Sequence, residues 1–310
     1  MKNVGFSKKK QGIFSENLIS EIVHSISDLP TVESVIDLDY RLAYVKNGKA
    51  YIGDTCLNDL DVFFWHDTVK PRDGGADNYI VNVLQAAEDD CAFINTPTSV
   101  AIVNDKFAAH GVLARNDVNV VDHALVDLEN TDALEEIFTS FSKDIVLKPR
   151  FGGWGVGIVR ARSMDELLST VEYMQTFTQN SNEQIFIERF TPNDISKWVS
   201  IVAIGGKPVF GYRKKITNED GWKVYDPQKM DTKGEYTDFV ELDDTLMQLG
   251  TDAAQAIGKD IISFDCIYST EDDTYYIVDE NGRPGLYQHC IDKAGIDIKE
   301  TIVNLVASKL

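Results

Sequence analysis

The sequence predicts an α/β protein of α+β type. Three observations carry that expectation. Strand and helix patterns alternate through the first third of the chain, a glycine-rich hairpin lies in the middle, and two strands bearing carboxylates come near the end. A length of 310 residues allows two or three subdomains with a sizeable core. The composition, 43% hydrophobic and 10% aromatic, is that of an ordinary globular protein. Thirty basic and fifty acidic residues give a formal net charge of −20, which argues against general affinity for nucleic acid or anionic membranes. No apolar run reaches membrane-spanning length, and Met1-Lys-Asn-Val-Gly-Phe enters a strand rather than a signal peptide, so a cytoplasmic location is expected. The cysteines Cys56, Cys91, Cys266 and Cys290 are scattered without zinc or redox spacing and are expected to be reduced thiols.

Residues 1–97 read as a small open α/β sheet. Val4 to Phe6 is the first strand, and Ser15 to Ile26 places Leu18, Ile19, Ile22, Val23 and Ile26 on one helical stripe. Ser34 to Leu38 and Asp61 to Trp65 read as the second and third strands. Tyr79 to Ala87 reads as a helix and Cys91 to Ile94 as another strand. His66, Arg72, Gly74 and Gly75 follow the third strand, where open sheets bind ligands, and an ordinary solvated loop accounts for them equally well. A boundary is expected at Asn95-Thr-Pro-Thr98, with Thr98 capping a helix to about Leu113 and a short strand at Val118 to Val121.

A helix from Asp132 to about Phe141 precedes the central hairpin, Ile145-Val-Leu-Lys-Pro-Arg-Phe-Gly-Gly-Trp-Gly-Val-Gly-Ile-Val159. Between Ile145 and Arg162 there are four basic residues and no acidic one. Gly152, Gly153, Gly155 and Gly157 let backbone N–H groups close on an anion, and Lys148 adds a point charge. No Gly-Lys-Ser/Thr ends this loop, and a strand rather than a helix follows it. It is therefore neither a Walker loop nor a dinucleotide fingerprint. Beyond it, Ser163-Met-Asp-Glu166 is a capping box for a helix to about Phe177, and Gln184 to Phe190 runs from strand into loop. Trp198 to Ile204, Gly205-Gly206 and Pro208 to Tyr212 form a hairpin. Between Gly205 and Lys233 lie seven basic and four acidic residues. Asp243 to Ile257 is a helix. Ile261 to Asp265 is a strand ending in a carboxylate, and Tyr275 to Asn281 is its partner. Alternation puts Asp279 and Asn281 on one side and Glu280 on the other. Two carboxylates and an amide oxygen converging there suit Mg²⁺.

Lys148-Pro-x-x-Gly-Gly-x-Gly-x-Gly resembles the glycine-rich loop of the ATP-grasp superfamily. The end of the chain, Asp279-Glu-Asn-Gly-Arg-Pro-Gly285 and Gly295-Ile-Asp-Ile298, resembles that of RimK-type and glutathione-synthetase-like ligases, with Asp279 replacing the usual glutamate. The resemblance is dense from Thr98 onward. It implies an N-terminal domain over 1–97, a central lid carrying the glycine loop over 98–187, and a C-terminal catalytic subdomain over 188–310. It implies ATP and Mg²⁺ (or Mn²⁺) as cofactors. Lys106, Lys148, Gly152, Gly153, Gly155 and Gly157 would then hold phosphates. Glu188, Arg189 and Phe190 would form the adenine hinge, with Glu188 on the ribose, and Asp265, Asp279 and Asn281 would hold the metal. Arg213, Lys223 (in Asp220-Gly-Trp-Lys223, which resembles the family's Gly-Asp-Phe-Arg) and Arg283 stand as catalytic cations. The family's Asp-x-Arg falls on Trp198 and Ser200, so either Lys197 assumes that role or the acceptor is held differently.

The activity so implied is ATP-dependent ligation. A small-molecule or peptide carboxylate becomes an acylphosphate and is joined to an amine, with a homo-oligomer possible. Two rivals remain open: a peptide-modifying ligase that closes ester or amide bonds, and a small-molecule kinase of the inositol-phosphate type. A kinase acceptor would be strongly anionic, and the N-terminal part shows no basic cluster to hold one.

Overall fold

A computed structural model describes residues 2–7, 15–39, 42–65, 79–152, 155–177, 184–215, 222 and 237–310. The first sheet joins β1 (Lys2–Ser7), β2 (Val32–Leu38), β6 (Val62–Phe64) and β7 (Ala92–Ile94) in the order β2-β1-β6-β7, all parallel. One face packs Val4, Phe6, Phe64 and Ile94 against Ile22 and Ile26 of α1 (Glu16–Ser27). The other packs Phe63 and Phe93 against α2 (Tyr79–Gln85). Gly5 lets these layers close, since a Cβ there would stand 2.7 Å from the Phe63 ring. The strand order reverses between β1 and β6, but His66, Arg72, Gly74 and Gly75 lie outside the described residues.

Sequence patterning missed a three-stranded antiparallel meander before β6: β3 (Ala43–Lys46), β4 (Lys49–Ile52) and β5 (Thr55–Cys56). Its signal was Asn47-Gly48, whose φ angles of 52° and 78° suit a tight hairpin turn. The strand at Val62 is therefore the sixth, not the third.

The single helix expected from Thr98 to Leu113 is two. Thr96, not Thr98, caps α3 (Pro97–Val103), and the chain breaks at Asn104 before α4 (Lys106–Arg115). The break comes from Asp105. Its carboxylate accepts from the Ala108 N–H at 3.3 Å and receives the Arg150 guanidinium at 2.7–3.1 Å, which a mid-helix position would forbid. Val118 to Val121 is not a strand. Only Val120 bridges, to Ile277, and the true strand, β8 (His123–Asp127), follows.

The second sheet is antiparallel in the order β10-β9-β11-β8, with β9 (Ile145–Pro149), β10 (Val159–Ala161) and β11 (Gln184–Arg189). Its apolar face meets α5 (Thr131–Ser140) and α6 (Met164–Phe177) through Leu134, Phe138, Leu147, Leu167 and Ile187. The capping box at α6 forms with one change. Ser163 Oγ accepts from Glu166 N at 3.2 Å, while Glu166 reaches back to Arg162 N at 2.6 Å.

The third sheet is antiparallel, in the order β14-β13-β12-β15-β16. It comprises β12 (Val199–Ile204), β13 (Lys207–Lys214), β14 (Thr237–Val240), β15 (Ile261–Tyr268) and β16 (Tyr275–Asn281). Strand β15 runs on past Asp265, which does not end it. One face packs Ile201, Ala203, Ile262 and Phe264 against α7 (Asp244–Ile257), which Asp243 caps and Gly258 ends with φ 70°. Near the C-terminus, α8 (Gln288–Ala294), absent from the sequence reading, precedes α9 (Ile298–Lys309). Helix α9 places Ile302, Leu305 and Val306 in the same core as Val4, Phe6 and α1.

Candidate active site

The site is built around a bulge. Cys266 pairs with Ile277 and Asp265 with Asp279, so two residues of β16 advance for one of β15 and Val278 is left unopposed. Without it Asp279 would share the buried face of Ile277. With it, Asp279 stands directly across from Asp265, and Asn281 across from Ser263. Glu280 turns into the interior, as alternation from Asp279 had suggested.

Lysines from three different strands and helices converge here. Lys106, at the first position of α4, reaches across to the Asp279 carboxylate. Lys148, on β9, donates to Glu188 Oε1 at 2.7 Å and to the Val278 carbonyl at 2.7 Å. The bulge thus supplies the acceptor that holds the glycine-loop lysine. Lys214, at the end of β13, lies 3.2 Å from Asp265 Oδ2. Burial lowers the Lys106 and Lys214 ammoniums, but Asp279 and Asp265 beside them more than reverse this, so both pKa values are raised. Asp279 goes the other way. Burial raises it, and Lys106 then holds it below the usual carboxylate range.

A cleft lined by Lys106, Pro149, Gly152, Gly155, Val156, Ile158 and Asp279 lies under the glycine loop. Gly157, at φ 76°, sits so close to Pro149 that a Cβ would meet its ring at 2.8 Å. A larger open groove elsewhere is lined by Glu88, Asp89, Thr98 and Gly258 among others. Its acids and its lack of any base make it wrong for a polyphosphate.

The structure redistributes several expected roles. Glu188 does not stand open at a hinge. It is buried, held by Lys148 and by His110 Nε2 at 3.2 Å. Burial pushes its carboxyl up, and Lys148 and His110 bring it below the ordinary value. Arg189 turns to the rim, pairing with Asp122 and Glu271 at 3.1 and 2.7 Å. The backbone N–H groups of Arg189 and Phe190 donate to Asp122 and Asp144 carbonyls, so neither is open to a base. Phe190 lies beneath the Arg160 guanidinium, 3.2 Å from ring centroid to Cζ, with Trp222 edge-on at 6.4 Å.

Arg213 alternates away from Tyr212 and Lys214, and its Nε donates to the Trp198 carbonyl at 3.1 Å. Lys214, not Arg213, faces the carboxylates. Lys197 packs over the Tyr268 ring, its Nζ 3.6 Å from the centroid. Ser200 is fully buried, in register with Tyr212 on one side and Asp265 on the other. Arg283 is exposed in the loop just past Asn281. Gly153 and Lys223 lie outside the described residues.

Sequence reasoning overlooked His110. It is fully buried on α4, one turn after Lys106, with Nδ1 3.0 Å from Glu280 Oε1 and Nε2 3.2 Å from Glu188 Oε1. Burial would lower it, yet the two carboxylates raise its pKa to about 9. The i, i+4 spacing from Lys106 was the available signal.

The family model of the RimK-like ATP-grasp domain matches residues 103–306, from the last residue of α3 into α9. The chain belongs to that family. It is accordingly an ATP-dependent carboxylate–amine ligase. It is 24% identical to the alpha-aminoadipate–LysW ligase LysX of Saccharolobus solfataricus, covering 82% of this chain and 87% of that protein. Identity to the coenzyme gamma-F420-2:alpha-L-glutamate ligase of Methanocaldococcus jannaschii is 26%, over 83% of this chain and 80% of that one. In fold it resembles a RimK domain ATP-grasp protein from Sphaerobacter thermophilus, with TM-score 0.67 at 10% identity and 98% of each chain covered. It likewise resembles the D-cycloserine synthetase DcsG, with TM-score 0.68 at 12% identity and 99% of each chain covered. Among the described residues no helix is long and apolar enough to cross a membrane.

Proposed function

We propose that this ligase activates a small-molecule or peptide carboxylate as its acylphosphate and passes it to the amine of an amino acid, releasing ADP and phosphate. The observation that carries this reading is the facing pair Asp265 and Asp279 with Lys106, Lys148 and Lys214 gathered around it, in a protein of net charge −20. Three lysines gathered in one place of an acidic chain, each on a stem long enough to turn from its carboxylate to a phosphate, are what a polyphosphate needs. The names of the relatives, an aminoadipate ligase and a glutamate ligase, favour an acidic amino acid as the amine.

In this reading Lys106, Lys148 and the loop of Gly152, Gly153, Gly155 and Gly157 grip the nucleotide phosphates, within a lid subdomain over 98–187. The parts over 1–97 and 188–310 bring the substrate and the metal. Lys214 takes the place first given to Arg213 as the cation beside the transferring phosphoryl group, with Lys223 and Arg283 as further candidates. Phe190, fixed by Arg160, offers an apolar surface to the base, while Glu188 sets the position of Lys148 rather than touching ribose.

The residues present fit a divalent metal. Asp265 Oδ1 is buried without a hydrogen-bond partner, and Asp279 and Asn281 add hard oxygens on the same face. Among the described residues no three His, Cys, Asp or Glu side chains are grouped so as to hold a metal, so the chain would supply two carboxylates and the Asn281 amide oxygen. That suits Mg²⁺, or Mn²⁺ in its place, which completes its shell with phosphate oxygens and water. When bound, the metal would supply neutralisation of charge on the phosphate oxygens.

The test follows the γ-phosphate. Matched carboxylate and amine pairs should release ADP and free phosphate in equal amounts, and hydroxylamine with the carboxylate should yield a hydroxamate. ADP without free phosphate, together with a phosphorylated hydroxyl product, would replace the ligase by a kinase. The inositol-phosphate kinase reading finds no support in the described N-terminal sheet.

A further inference from the structure

Both carboxylates assigned to the metal already carry a cation from the chain itself. Lys106 from α4 rests on Asp279, and Lys214 from β13 lies 3.2 Å from Asp265. Both acids are on the same face of the third sheet, directly opposite each other. Neither lysine is a surface ornament, for Lys106 is 9% exposed and the Lys214 side chain 26%. Each comes from an element other than the one it neutralises, so the two contacts tie α4 and β13 to the β15–β16 pair.

We infer that Lys106 and Lys214 act as built-in counter-cations that keep a free divalent metal out of this site until nucleotide phosphates draw the lysines away. The inference rests on the nucleotide and metal assignments above and adds an order to them. A metal approaching the nucleotide-free protein meets two carboxylates that already have ammonium partners, beside a third lysine, Lys148. With Lys148 in turn held by Glu188, these ammonium groups cancel the carboxylate charge that would otherwise draw the metal in. A polyphosphate reverses the balance. Its oxygens compete for the lysines, which are long and flexible enough to swing to it, and the released Asp265 and Asp279 oxygens then face the phosphate-bound metal. Metal and nucleotide therefore enter as one unit, and each raises the affinity for the other by the same factor.

The experiment is Mn²⁺ binding to the full chain, read from the loss of the free-ion paramagnetic resonance signal, with ADP and without it. Wild type without ADP should bind Mn²⁺ weakly, and ADP should create a site at least on the order of tenfold tighter. Lys106→Met and Lys214→Met, singly and together, should each tighten nucleotide-free Mn²⁺ binding, the double variant most. Lys214→Met is the safer single variant if the other destabilises the fold, and near-ultraviolet circular dichroism of each reports intact packing. Equal Mn²⁺ affinity of wild type and the folded lysine variants without ADP would overturn the inference, as would tight nucleotide-free binding by wild type. Failure of ADP to bind wild type at all, seen as no thermal shift, would instead count against the functional assignment. The nucleotide-free comparison among variants would still decide the lysine role.

Discussion

Lys148 Nζ lies 2.7 Å from Oε1 and 2.7 Å from Oε2 of Glu188, so the lysine of the glycine loop is anchored on the adjacent strand before any nucleotide arrives. Such an anchor, with the Val278 carbonyl, fixes the ammonium beside Asp279. It also leaves Glu188 dependent on that ammonium.

Lys148→Ala should therefore do two things. The thermal stabilisation given to wild type by Mg-ATP, which follows mass action, should largely vanish. Intrinsic stability should also fall, by about 2–4 kcal/mol, because a buried carboxylate loses its lysine. Differential scanning fluorimetry with and without Mg-ATP measures both. An ATP increment as large as that of wild type would remove Lys148 from the phosphate site.

Asp265→Asn combined with Asp279→Asn should lower turnover by on the order of a thousandfold or more, since the proposed metal site loses both its charged oxygen ligands. Far-ultraviolet circular dichroism should be unchanged, as an amide still fits each position. Turnover within tenfold of wild type would put the metal elsewhere.

His110 gives stability a distinctive pH dependence. Its folded pKa is raised to about 9, against about 6.5 in an unfolded chain. The stabilisation is therefore complete below pH 6.5 and is lost as pH rises through 9, a change on the order of 1–3 kcal/mol. Urea unfolding of wild type and His110→Leu should show their difference shrinking from pH 6.5 to pH 9.5. A difference that does not vary with pH would mean that His110 is neutral when folded.

Lys259 should behave in the opposite sense. It is buried with no ion pair or hydrogen bond among the described residues, and burial lowers its pKa to about 7. A depressed lysine costs stability most at low pH, and that cost fades as pH rises toward the unfolded value of about 10.4. Lys259→Met should thus be more stable than wild type near pH 6.5, by on the order of 1–3 kcal/mol, with the gap closing above pH 10. A destabilised variant at pH 6.5 would show that the ammonium has a partner that matters.

The residues of the site were legible in the sequence to the extent that their chemistry lay in short motifs. Lys148 and the glycines share one hairpin, and Asp279 and Asn281 share one strand, so their convergence followed from local spacing. Non-local geometry was not legible. The bulge at Val278 has no side-chain signature, yet it turns Asp279 toward Asp265 and provides the carbonyl for Lys148. Alternation along Tyr212, Arg213 and Lys214 could have shown that only one of the two cations faces the acids, had the strand been followed that far. The burial of Glu188 was not legible because its partners His110 and Lys148 come from a helix and a strand distant in sequence. The meander and α8 were missed because each is short and flanked by turn residues that read as loop.

Helix α9 carries a consequence for synthesis. Its Ile302, Leu305 and Val306 complete the apolar layer on which Val4, Phe6, Ile22 and Ile26 also depend. A ribosome making this protein extrudes the first sheet long before the helix that covers part of it. Until then the nascent N-terminal strands present an oily flank to the cell, a natural stop for a chaperone. Cutting the chain just before Ile298 should accordingly yield aggregates rather than a smaller soluble enzyme.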